Sequence, residues 1–102
     1  MGRKLREIRY FPDHGRKHPL WESGTDQYAM DPSDYDLSDG LSSGLRELMR
    51  FWNAHFRDSH GTSFEWDSAE NEQHYWEEGD RLLEQLRSEV ADIAVVSDER
   101  RY

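Results

Sequence analysis

The chain contains no cysteine, which excludes a disulfide framework, a thiolate nucleophile and any cysteine-based zinc site. Redox chemistry therefore says nothing about the compartment, and a reducing cytoplasm is the default expectation. Proline is scarce: there are three in 102 residues, all between positions 12 and 32. No apolar run follows the charged start MGRKLREIRYFPD, and no segment approaches the ~18 apolar residues of a membrane span. The expectation is a soluble, cytoplasmic protein. Basic residues are missing altogether from positions 21 to 45. Over the whole chain 22 acidic residues face 13 Lys and Arg, a formal charge of −9. That balance disfavours nucleic acid or an anionic membrane as partner and favours a basic protein.

Catalytic signatures are missing as well. No serine stands in a G-x-S-x-G elbow, and there is neither a phosphate-binding loop nor a G-x-G-x-x-G turn. His14 and His18 have a helical spacing, but Pro12, Gly15 and Pro19 deny them the helix. His55 and His60 are five apart with no third ligand, and His74 lies among glutamates as an exposed ion-pair former. A calcium loop begun at Asp34 puts Asp39 where glycine is needed and Leu45 where the bidentate Glu belongs. These absences lead us to expect no metal, no cofactor and no enzymatic activity.

What is present is an uneven chain with few but large apolar side chains. Hydrophobic residues are 34% of the total, yet aromatics reach 13% and include four Trp, which suggests a thin, aromatic-rich core. KLREIRYF alternates through Leu5, Ile8 and Tyr10 and predicts a strand that stops at Pro12. Residues 12–37 hold every proline and read as a long acidic loop. Ser38 can cap a helix whose apolar stripe is Leu41, Leu45, Leu48, Trp52 and Phe56, running to about Asp58 before SHGTS turns the chain. Gly40 and Gly44 weaken its first turns by roughly 1 kcal/mol each. Asp67 and Glu70 have capping-box spacing for a second helix. Its stripe is Trp76, Gly79, Leu83, Leu86 and Val90, with Gly79 placed for close approach of the partner helix. ADIAVVSD then predicts a closing strand, followed by a short polar tail over residues 97–102.

The predicted architecture is one α+β domain over residues 1–102, a helical hairpin packed on a small β-sheet in the order β-loop-α-α-β. Two strands alone are marginal. The sheet should therefore recruit a strand from the 20–30 region or extend across a dimer.

The segment most in need of explanation is DQYAMDPSDYDLSDG, with five aspartates and no cation. Together with the preceding PLWESGT it offers Trp21, Tyr28 and Tyr35 as aromatic anchors and Glu22, Asp26, Asp31, Asp34, Asp36 and Asp39 as an acidic rim. Such a set suits the gripping of a cationic protein surface, the rings supplying desolvated area and the carboxylates steering the encounter. The same pattern also suits a plain loop, pinned by Trp21 and one tyrosine, whose aspartates are solvated caps and turn formers.

The run PLW before an acidic loop, then LS opening a helix with Leu45, Leu48 and Trp52, then WDS opening a second with Trp76 and Gly79, resembles small acidic proteins of high-GC Gram-positive bacteria. The resemblance covers residues 19–96 and implies a shared fold. In size and charge the chain also looks like immunity proteins, which block a cognate toxin by covering its basic active site. The function expected is accordingly an immunity or antitoxin-like inhibitor of a basic protein such as a nuclease toxin. The acidic face of the second helix (Glu70, Glu77, Asp80, Glu84) offers a further surface. The alternative is a structural or assembly protein acting as a homodimer.

Overall fold

The computed structural model describes residues 5–13, 17–22, 29–59 and 63–100. It has two helices and a small mixed sheet, an α+β fold. Strand β1 (Arg6–Tyr10) is central, flanked by β2 (Leu20–Glu22) on one side and β5 (Ala94–Asp98) on the other. β2 runs antiparallel to β1, with Ile8 opposite Glu22 and Tyr10 opposite Leu20. β5 runs parallel to it, with Arg6 opposite Ala94 and Tyr10 opposite Asp98. The third strand thus comes from the 20–30 region, as the marginal two-stranded ribbon required. Residues 12–37, expected as loop throughout, also hold a 3-10 turn, Pro32–Tyr35.

Alternation along β1 sends Ile8 and Tyr10, both fully buried, into the helix layer. Helix α1 (Asp39–His55) buries Leu41, Leu45, Leu48, Met49 and Trp52, and Ser38 is its N-cap, accepting a bond from the Leu41 amide at 3.2 Å. Helix α2 (Ala69–Glu89) buries Tyr75, Gly79, Leu82, Leu83 and Leu86. No helix among the described residues is long and apolar enough to cross a membrane.

Four sequence expectations change. Helix α1 ends at His55 rather than Asp58 because Phe56 takes an extended conformation and starts a hairpin of β3 (Phe56–Ser59) and β4 (Ser63–Trp66). The turn of that hairpin lies outside the described residues. Its strands pair Phe56 with Trp66, and Phe64, two residues before Trp66, shares their face. The cap of α2 is Ser68, which accepts a bond from the Asn71 amide, while Asp67 instead accepts bonds from the Asn71 side chain and binds the His55 imidazole at 2.7 Å. The tightest approach between the helices is at Gly44 rather than Gly79. A Cβ on Gly44 would stand 2.7 Å from Leu82 Cδ2 of the other helix, whereas a Cβ on Gly79 would meet Leu48 Cδ2 of α1 at an ordinary 3.7 Å and Arg100 Nη1 at 2.7 Å. Lastly, β5 continues past Val96 to Asp98, and Arg100 beyond it is buried.

Candidate functional site

The acidic segment is held to the sheet by a buried polar group. Glu22 points to the same face as Leu20 and is 5% exposed. Its carboxylate meets Arg6 Nη2 at 2.7 Å and accepts a bond from the Tyr35 hydroxyl at 2.8 Å. The Arg6 guanidinium also lies 4.6 Å from the centre of the Tyr35 ring and donates to the Asp34 carbonyl at 3.3 Å. Burial, followed by the bond to Glu22, pushes the Tyr35 hydroxyl well above its ordinary range, so it stays a donor. On the opposite sheet face Trp21 stacks on Phe11 with ring centres 4.8 Å apart and donates its indole N–H to the Phe11 carbonyl.

Above this anchor the aspartates order the turn. Asp31 accepts from the Ser33 amide, and Asp34 reaches back to accept from the Asp31 amide at 2.8 Å, a reciprocal capping box. Those Ser33 bonds, backbone first and hydroxyl second, hold the Asp31 carboxyl below its usual range. Asp36 ends the turn at φ 55°, the left-handed region that aspartate tolerates better than most side chains. Asp39 opens α1, where the positive end of the helix dipole favours an anion. From the far end of α2, Glu89 accepts from both the amide and the hydroxyl of Ser38.

Of the residues expected to bind a partner, Trp21, Glu22 and Tyr35 are therefore interior supports, while Asp31, Asp34, Asp36 and Asp39 are exposed. Asp26 and Tyr28 lie outside the described residues. Asp31, Asp36 and Asp39 converge on an open depression of about 360 Å³ that His18 also lines. Burial lowers the His18 pKa, with Asp31 opposing. On α2, Glu70, Glu77, Asp80 and Glu84 are all exposed. Among the described residues no group of three or more His, Asp and Glu could hold a metal ion.

Sequence reasoning missed the second built feature, a cluster around Arg100. This side chain is 2% exposed, yet it forms ion pairs with Asp80 at 2.7 Å and Asp98 at 2.8 Å. Its Nε makes a further bond to Asp98, and its guanidinium lies against the rings of Trp76 and Tyr10. Burial opposes the charge, but Asp98 and Asp80 outweigh it and raise the Arg100 pKa. Nη1, packed over Gly79, is the one buried side-chain polar atom without a hydrogen-bond partner among the described residues. Beside it opens a recess of about 300 Å³ walled largely by aromatic rings. The only advance signal was the aromatic alternation in SFEW.

Residues 6–97 match the family model described as Serratia CdiI immunity protein-like. The chain belongs to that family. The matched stretch begins at the first residue of β1 and ends inside β5, so it takes in both helices and all of the sheet but the last residue of β5. No curated protein matches the chain. Membership in the Serratia CdiI immunity protein-like family supports an immunity role, inhibitory binding of a protein toxin, and agrees with the likeness to immunity proteins seen in the sequence.

Proposed function

We propose that the protein is an immunity protein that inhibits a basic toxin such as a nuclease by covering its cationic cleft with acidic surface. The observation that carries this reading is the match of residues 6–97 to an immunity-protein family in a chain of net charge −9. The primary contact surface in this proposal is the turn from Asp31 to Asp39, where four exposed carboxylates stand on a base pinned by the Arg6, Glu22 and Tyr35 group. A preordered acidic surface steers a basic partner at long range and loses little entropy on contact. The exposed glutamates of α2 add to the same field. Inhibition takes place in the bacterial cytoplasm and requires no cofactor.

The test is capture from host lysate at low salt, followed by expression of the captured protein with and without this chain. A basic protein that a salt wash releases, and whose toxicity is relieved by co-expression, is the expected result. The triple variant Asp31→Asn, Asp36→Asn, Asp39→Asn preserves capping ability and tolerance of the left-handed conformation. It should slow association at low salt on the order of tenfold. Unchanged association would remove the turn from the interface, and a captured partner without basic character would overturn the electrostatic reading.

A further inference from the structure

Glu89 sits where its own helix disfavours it. It is the last residue of α2, at the negative end of the helix dipole, in a chain already at −9. A carboxylate there is a local cost, and such a cost points to the contact that offsets it. That contact is Ser38. Its amide donates to one carboxylate oxygen of Glu89 at 2.7 Å and its hydroxyl to the other at 2.6 Å, between residues 51 apart in sequence. Gln85, one turn earlier on α2, donates to the second oxygen at 3.0 Å and steadies the side chain. Burial works against the charge, but the bonds from Ser38 and Gln85 hold the Glu89 carboxyl below its usual range.

Ser38 is the junction between two parts of the acidic surface. On one side, Asp31 to Tyr35 are held by their own capping box and by Arg6 and Glu22 on the sheet. On the other, Asp39 opens α1, with Ser38 as its N-cap. Asp36 and Asp39 flank this junction and line the depression together with Asp31. How Asp36 and Asp39 stand relative to Asp31 therefore depends on where Ser38 is held. Two charge-assisted bonds to one residue fix the orientation of its backbone as well as its position.

We infer that Glu89 is a positioning residue for toxin binding, which clamps Ser38 from the end of α2 and so holds Asp36 and Asp39 in fixed relation to Asp31. The inference rests on the reading of the aspartate turn as the contact surface and gives the C-terminus of α2 a part in it. A carboxylate set ordered in advance leaves less entropy to be lost on docking.

Two substitutions separate position from charge. Glu89→Asp keeps the charge but is one methylene too short to reach both donors of Ser38, whereas Glu89→Gln loses the charge but keeps the reach and one acceptor oxygen. In the intact protein, backbone order parameters from NMR relaxation should fall at residues 36–39 from about 0.85 to about 0.6 in the Asp variant and hold at residues 33–35. The Gln variant should stay nearer to wild type. The toxin captured from host lysate should leave the Asp variant roughly tenfold faster than wild type, and the Gln variant less than about threefold faster. Equal dissociation from wild type and the Asp variant, or a Gln variant worse than the Asp one, would overturn positioning and leave only a charge effect. Order parameters unmoved in the Asp variant would overturn it without any toxin in hand. Failure of the turn itself reads differently: the triple aspartate variant then associates as wild type does, while the order parameters still separate Asp from Gln. That outcome overturns the role in toxin binding and leaves the clamp as a structural contact.

Discussion

Arg100→Met tests how far the C-terminal residues hold the fold together. The wild-type guanidinium makes three side-chain bonds, from Nε and Nη2 to Asp98 and from Nη2 to Asp80, with its own side chain only 2% exposed. Breaking a fully buried pair from one side costs about 3–5 kcal/mol. Here the abandoned partners can rehydrate, since the Asp98 and Asp80 side chains are 31% and 61% exposed, so only part of that cost survives. Methionine retains the apolar stem and a sulfur–aromatic contact with Trp76 and Tyr10, which offsets some of the lost cation–π attraction. The expected net loss is about 2–3 kcal/mol, or roughly 10–20 °C in Tm for a chain of this size. Urea unfolding followed by tryptophan fluorescence should show a lower midpoint with an unchanged slope. Neutralising the stranded acids in the triple variant Arg100→Met, Asp80→Asn, Asp98→Asn should recover most of the loss. An Arg100→Met protein as stable as wild type would refute the argument, and so would a triple variant less stable than the single one.

Tyr35→Phe removes the hydroxyl that donates to buried Glu22 and should cost about 1.5–3 kcal/mol by the same urea assay, because the bond is to a charged group with little access to water. A loss below about 0.5 kcal/mol would mean that Arg6 alone satisfies the carboxylate. Acid titration should destabilise the fold in two stages. His18 has a folded pKa below its ordinary value of 6.5, so the unfolded chain takes up its proton first and stability begins to fall as pH drops through about 6.5. Asp31, Asp67, Glu78, Glu89 and Glu99 have depressed folded values. Their contribution is complete above the usual carboxylate range and is lost as pH falls through the lower folded values. Midpoints measured from pH 7 to pH 3 that stay flat below about pH 4.5 would contradict these hydrogen bonds.

The long periodic elements were legible. Leu41, Leu45, Leu48 and Trp52 recur at helical spacing and are buried together, and the alternation of Ile8 and Tyr10 marked the central strand. The hairpin was not legible, because four-residue strands such as FRDS are too short to show a period and Phe56 also continues the helical stripe. The aspartates were conspicuous, but their division of labour was not. Capping geometry at Asp31 and Asp34 and the left-handed backbone of Asp36 depend on a 3-10 turn that four residues cannot announce. Glu22 was read as part of an acidic rim because its neighbour in space, Arg6, is distant in sequence. Arg100 was hidden for the same reason, since its partner Asp80 belongs to another element.

The parallel pairing of β1 with β5 ties the first strand of the sheet to a strand made only after both helices. A nascent chain that has emerged only as far as α2 has its central strand paired on one side, as a ribbon too small to stand alone. Contacts of such wide sequence separation impose a large loop-closure cost and slow the search for the native state. The sheet therefore cannot close until β5 has been made. A truncation before Ala94 would leave β1 paired on one side only, even though the aspartate turn and both helices remain encoded.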